Sequence, residues 1–248
     1  VFPDTNKVDE FVFKLNKAKR PLLVSGRGAR SSKSSIEEFL SKTGVLYIDT
    51  QDSRGLISPD HTSNVFAARS KVMEEADLII LVGRKLDYQL AYGSPAIFSK
   101  ATFVRISSNP HELVDNRRGM PEIYGEPHLV FKDINSRVLN TNFDKEWILE
   151  TKEFHSKKIK KLNSKKSNNL GNDGKIHPNH IFNCINNLVS DKFIGIADGG
   201  DILSFARVGL HSKYYLDSGV FGCLGVGVPY AIAASKVFKN KKIICVSG

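Results

Sequence analysis

The sequence has 248 residues, 41% hydrophobic and 25% charged, with 19 Gly and 9 Pro. At about 150 residues per domain this allows one large or two modest domains, and the composition excludes collagen-like, coiled-coil and wholly disordered chains. Lys and Arg number 36 against 26 Asp and Glu, a formal net charge of +10, which favours an anionic partner such as nucleic acid, acidic lipid or a phosphate-bearing small molecule.

In chain order the pattern alternates strand and helix. Pro21–Ser25 is a short apolar run ending at Gly26-Arg27-Gly28. The next helix carries Ser35 with Glu38 three residues on, a capping box, and Gly44 closes it as a C′ glycine. Val45–Asp49 reads as a strand and Phe66–Ala76 as a helix. Asp77–Val82 and Thr102–Ile106 are continuous apolar runs, which suit a parallel sheet covered on both faces. Short helices near His111–Arg118 and His128–Leu139 complete a first unit, residues 1–143.

Residues 144–176 read as a helical, basic linker that degrades into Asn, Ser and Gly at 163–174. Between Lys152 and Lys166 stand seven lysines and one acid, Glu153. That run reads as a solvated helical face. No aromatics are interleaved in the manner of a single-strand binding surface, so nucleic acid is not the expected partner.

A second unit, 177–248, starts at Pro178 in a helix N1 position. Ile181, Phe182, Ile185, Leu188 and Val189 predict one apolar stripe. Phe193–Ala197 is a strand, Ile202–Val208 a helix, Tyr214–Leu216 a short strand, Pro229–Phe238 a helix and Lys242–Ser247 a buried strand. The expected fold is α/β: two Rossmann-like units, the second truncated. The chain stops at Gly248, one glycine past a strand, so it reads as a fragment of a longer protein.

Three scattered cysteines, Cys184, Cys223 and Cys245, make neither a disulfide framework nor a zinc site and suit a reducing, cytoplasmic compartment. Val1-Phe2-Pro3-Asp4 carries no signal pattern. Ser218–Ser235 is uncharged for 18 residues, but Gly219, Gly222, Gly225, Gly227 and Pro229 argue against a continuous membrane-spanning helix.

Three glycine-bearing segments carry candidate chemistry, each with a plain alternative. Gly26-Arg27-Gly28 is half of a dinucleotide fingerprint, with Asp49 where a ribose-binding acid would stand. The third position is Ser31 rather than Gly, and a simple tight turn fits equally. Asp198-Gly199-Gly200-Asp201 suits a diphosphate held by main-chain N–H groups, or a turn with Asp201 as N-cap. Gly219–Pro229 is a side-chain-poor ribbon around one large apolar residue, Leu224. It suits a flat ligand gripped by main chain, or a tightly packed loop. His177 and His180 lack the partners of a metal site. The sequence contains no G-x-S-x-G elbow and no H-E-x-x-H.

The stretch GVFGCLGVGVPYAIAASKVF resembles the pyrimidine-cradling segment of thiamine diphosphate enzymes, and IADGGDI resembles their diphosphate-contacting turn. AKRPLLVSGRGA, AARSKVMEEADLIILVGRKLD and TFVRISSNPHEL are similar to their central domain. The likeness is to acetolactate synthase, 2-hydroxyacyl-CoA lyase and oxalyl-CoA decarboxylase. It implies cleavage or formation of a C–C bond beside a carbonyl of a 2-keto acid or acyl-CoA. Leu224 would be the wedge that bends the cofactor. Gly222 would offer its carbonyl, and Cys223 and Leu224 their main chain, to the pyrimidine. Gly200, Asp201 and Ile202 would lie along the diphosphate.

The resemblance also implies Mg²⁺, whose motif is present only as Ser247-Gly248, and a catalytic Glu in a domain this chain lacks, so the chain alone would be inactive. It implies a homodimer or homotetramer. It further implies FAD or ADP at Gly26, Arg27, Gly28, Arg69 and Lys85, although Ser107 and Asn109 stand where the family tends to carry Asp. Two other readings remain open. One is an NAD-dependent oxidoreductase or deacylase, which lacks its full glycine fingerprint or its four zinc cysteines. The other is a non-catalytic nucleotide-binding module.

Overall fold

The computed structural model describes residues 1–50, 53–137, 139–164, 171, 173–189, 193–212 and 214–248. The chain forms two compact units, residues 1–159 and 160–248. Each is a parallel sheet flanked by helices, the expected α/β class.

In the first unit, among the described residues, the strands are β1 (Pro21–Ser25), β2 (Leu46–Asp49), β3 (Leu78–Val82), β4 (Thr102–Ser107) and β5 (Glu122–Tyr124). Their order is β2-β1-β3-β4-β5, all neighbours parallel. Alternate residues feed two cores because side chains alternate across a strand. Leu23, Tyr47, Ile80 and Val104 face one cluster with Phe11, Phe39 and Phe131. Leu22, Leu46, Ile79 and Phe103 face another with Val72, Phe98 and Trp147. Both faces being buried explains why these strands are continuously apolar.

Helix α1 (Thr5–Lys17) has no counterpart in the sequence reading. Asp4 caps it by accepting the Asn6 N–H at 2.9 Å, and Val8, Phe11 and Leu15 are its buried stripe. The Ser35 capping box does not form. A 3-10 turn over Arg27–Ser32 carries the chain straight into α2 (Lys33–Thr43), so Ser35 lies inside the first turn and donates to the Ser32 carbonyl. Gly44 does close α2, at φ +74°, with its N–H on the Leu40 carbonyl. The helix expected over 66–76 is a 3-10 turn, Phe66–Ala68, followed by α3 (Arg69–Glu75). Those expected at 111–118 and 128–139 shorten to α4 (His111–Val114) and α5 (Pro127–Asn135). β5 is an unforeseen edge strand between them.

Helix α6 (Lys145–Ser164) starts against the first unit. Trp147 is buried there and donates its indole N–H to Glu75 at 2.9 Å. Further along, Lys157, Lys158, Lys160 and Lys161 are exposed, the solvated face that the charge run predicts. Lys157 pairs with Glu153, and Lys158 lies 4.8 Å from the Phe154 ring centroid. Lys165, Lys166 and most of the expected polar linker lie outside the described residues.

The second unit contains α7 (Pro178–Leu188), β6 (Ile194–Ala197), α8 (Asp201–Gly209), β7 (Tyr214–Leu216), α9 (Gly227–Val237) and β8 (Ile243–Val246), with strand order β7-β6-β8. Phe182, Ile185 and Val189 pack with Leu203 and Ala206 on one face of the sheet. Ile194 and Ile196 meet Ala234 and Phe238 on the other. The apolar stripe of α7 is narrower than its sequence predicts. Ile181 is 45% and Leu188 81% exposed, because both fall to one side of the 182, 185, 189 line. The uncharged stretch is a turn, a ribbon and then α9, and among the described residues no helix is long and apolar enough to cross a membrane.

Candidate functional site

Open parallel sheets bind ligands beyond the carboxyl ends of their strands, where the strand order reverses. In the first unit that point lies between β1 and β3, the place of Gly26-Arg27-Gly28. These glycines are engaged in packing. A Cβ on Gly26 would stand 2.5 Å from the Gly83 carbonyl oxygen, and one on Gly28 2.8 Å from the Gly83 Cα. The Gly26 and Gly28 N–H groups donate to the Val82 and Gly83 carbonyls at 2.9 and 3.0 Å. They close a backbone-to-backbone contact between two strand ends, and neither N–H points to a phosphate.

Around that contact Arg27 and Lys85 are exposed. Arg69 is half-buried and donates to the Asp49 and Gln89 carbonyls. Asp49 accepts the Gly55 N–H at 2.9 Å, and burial pushes its carboxyl above the usual range. Ser107 donates to Glu112 and accepts the Asn109 N–H, while Asn109 caps His111. Those two side chains organise their own loop.

In the second unit the reversal lies between β6 and β8, and both glycine segments converge there. β6 ends at Ala197, and Asp198 follows, buried at 6% exposure. Its carboxylate accepts the N–H groups of Gly199 at 2.7 Å, Gly225 at 3.0 Å and Gly227 at 3.2 Å. Main-chain donors, that of Gly199 foremost, hold the Asp198 carboxyl below the usual carboxylate range. Asp198 thus ties the end of β6 to the ribbon 27 and 29 residues later. The sequence reading noted this residue only as part of a turn. An acid at the end of a buried strand and directly before Gly-Gly was the available signal.

The ribbon is open on its outer side. Leu224 is 74% and Phe221 86% exposed, and Gly222 and Cys223 are exposed with them. The Leu224 side chain leans on Gly199, where a Cβ would come within 2.5 Å of its Cδ2. The two segments are therefore in direct contact, and a side chain at position 199 would displace the exposed Leu224 side chain from its seat. Gly222 and Gly225 adopt φ of +61° and +88° with open space where a Cβ would stand; Gly222 is exposed, whereas the Gly225 N–H is taken up by Asp198.

Gly200, at φ +82°, rather than Asp201, is the N-cap of α8. Asp201 instead occupies the first helical turn, exposed, next to half-buried Ile202. Gly248, the first glycine of the expected metal motif, lies against Ile202. Among the described residues no group of three or more His, Cys, Asp or Glu could hold a metal ion. His177 caps α7 by accepting the Asn179 N–H.

A side-chain-poor ribbon and a glycine turn thus meet at the switch point of a parallel sheet, the place where α/β folds of this class hold phosphate-bearing ligands. The model of the thiamine pyrophosphate enzyme central domain matches residues 8–134, just over half of the chain, and that of the C-terminal TPP binding domain matches 201–248. The chain belongs to the thiamine pyrophosphate enzymes.

It is 26% identical over 277 residues to 2-hydroxyacyl-CoA lyase 1 of Dictyostelium discoideum, covering 100% of this chain and 48% of that protein. To the Mus musculus protein of the same name it is 29% identical over 251 residues, covering 94% of this chain and 42% of the other. To oxalyl-CoA decarboxylase of Escherichia coli K12 it is 23% identical over 260 residues, covering 100% and 45%. The chain thus spans less than half the length of these curated relatives.

Proposed function

We propose that the full-length protein is a thiamine diphosphate-dependent lyase or transferase that breaks or makes a C–C bond next to a carbonyl. Its relatives' names favour an acyl-CoA of the 2-hydroxyacyl or oxalyl kind over a free 2-keto acid. The observation that carries this reading is the exposed ribbon at the β6–β8 switch point, with Leu224 propped on Gly199. Thiamine diphosphate, when bound, supplies an acidic carbon and an electron sink for that bond.

The chain's own residues hold and orient the cofactor. Gly200, Asp201 and Ile202 would run along the diphosphate. Gly222 and Cys223 would present main-chain groups, and Leu224 would be the apolar wedge. Asp198 keeps the ribbon in register with the turn. Mg²⁺ would accompany the diphosphate, but both Asp198 oxygens already accept N–H groups, so the described residues do not by themselves make its site. FAD or ADP in the first unit would rest on Arg27, Arg69 and Lys85, since the Gly26 and Gly28 N–H groups are engaged elsewhere. The exposed thiols Cys184 and Cys223 support a reducing compartment such as the cytoplasm. A homodimer or homotetramer would cover the exposed apolar residues of α9, among them Val228 and Ile232.

Thermal shift of the full-length protein tests this. Thiamine diphosphate with Mg²⁺ should raise Tm, by linkage to the native state, whereas NAD should not. A rise with NAD alone would replace the proposal with the oxidoreductase reading.

A further inference from the structure

The ribbon leaves β7 and returns as α9, and Asp198 holds its trailing end. Its leading end is held by a second carboxylate. Asp217, directly after β7, accepts the Gly219 N–H through Oδ1 at 2.8 Å and the Arg207 Nε–H through Oδ2 at 3.0 Å. The Asp217 side chain is only 5% exposed, and that of Arg207 29%. A carboxylate so enclosed depends on both partners, because an uncompensated buried charge is strongly unfavourable.

Arg207 stands in the last turn of α8. The first turn of the same helix, at Asp201 and Ile202, is the segment proposed to follow the diphosphate. One nine-residue helix therefore carries the diphosphate turn at its start and the guanidinium that sets the ribbon at its end.

We infer that Arg207 and Asp217 are positioning residues: a brace that couples α8 to the leading end of the ribbon, so that seating the diphosphate and placing Leu224 are one event. Neither residue is among those proposed to meet the cofactor. The brace acts through Gly219 on one side and through the body of α8 on the other. This rests on the thiamine diphosphate reading above.

The test uses the full-length protein and titrates thiamine diphosphate in the presence of Mg²⁺ by calorimetry, with kcat read at saturating cofactor. Asp217→Asn keeps an acceptor for the Gly219 N–H and removes the anion facing Arg207. Arg207→Gln removes the cation. Each should raise the cofactor Kd roughly tenfold, the scale of one charge-assisted hydrogen bond. The double variant should do little worse than either single, because the two act as one unit. Arg207→Lys, which keeps the charge and the fold, should fall between.

Arg137→Ala breaks ion pairs with Asp133 and Asp9 in the first unit. It should lower Tm and leave Kd unchanged, which separates positioning from mere destabilisation. The brace is overturned if both single variants bind within twofold of wild type, or if their effects simply add. Absence of binding by the wild-type protein would overturn the functional reading and the brace together.

Discussion

At Asp198 a single carboxylate organises the candidate site, since its oxygens accept N–H groups from both glycine segments. Its carboxyl is held below the ordinary aspartate value of about 3.9, first by the Gly199 N–H and then by those of Gly227, Gly225 and Val226. A depressed folded value means that this stabilisation is fully present above about pH 4 and is lost as pH falls through the folded value. Asp198→Asn should therefore lower Tm at pH 7, and the gap to wild type should close in the acid range. A gap independent of pH would refute the assignment. Leu224 presents the opposite case. Its side chain is 74% exposed, so Leu224→Ala should change stability by no more than about 0.5 kcal/mol. Turnover of the full-length enzyme should nevertheless fall on the order of a hundredfold, as misplacement of a bound reactant does. Measuring Tm and kcat on one preparation separates the two effects.

Among the elements, the strand ends of the first sheet depend on a contact between glycines. Gly83 adopts φ +55°, and a Cβ there would lie 2.4 Å from the Gly28 carbonyl carbon. Backbone cannot yield as a side chain tip can, so Gly83→Ala should destabilise by about 3 kcal/mol or more, read as a shift in the denaturation midpoint. On the facing layer, Phe39 is fully buried and meets Phe131 edge-on at 5.1 Å. Phe39→Ala should cost about 3–5 kcal/mol in the same measurement. Strands β1 to β4 were legible in the sequence because burial on both faces demands unbroken apolar runs. Helix α1 was legible but not read: Asp4 is its cap, and Val8, Phe11, Val12 and Leu15 fall at i, i+3, i+4 and i+7, one helical face. β5 was missed because three residues leave no periodicity to read. The Ser35 capping box failed for a related reason: the preceding 3-10 turn already supplies the helical geometry that a cap would otherwise start.

For the whole molecule, two compact units mean that a ligand held by one need not stabilise the other. Thiamine diphosphate with Mg²⁺ should slow amide exchange across 198–227 of the full-length protein and leave 21–107 unchanged. Protection centred on Gly26, Arg27 and Lys85 instead would move the site to the first unit. The sequence alone determined the α/β class, strands β1 to β4 of the first sheet and the two glycine segments, because these follow from local apolar runs and from residues that lack side chains. Only the tertiary structure decided what those glycines do. Gly26 and Gly28 pack on a neighbouring strand end, whereas Gly199 receives a leucine and the Gly225 N–H reaches Asp198. Such pairings join residues tens of positions apart, and they depend on how crossover helices bring parallel strand ends together, which no local pattern encodes.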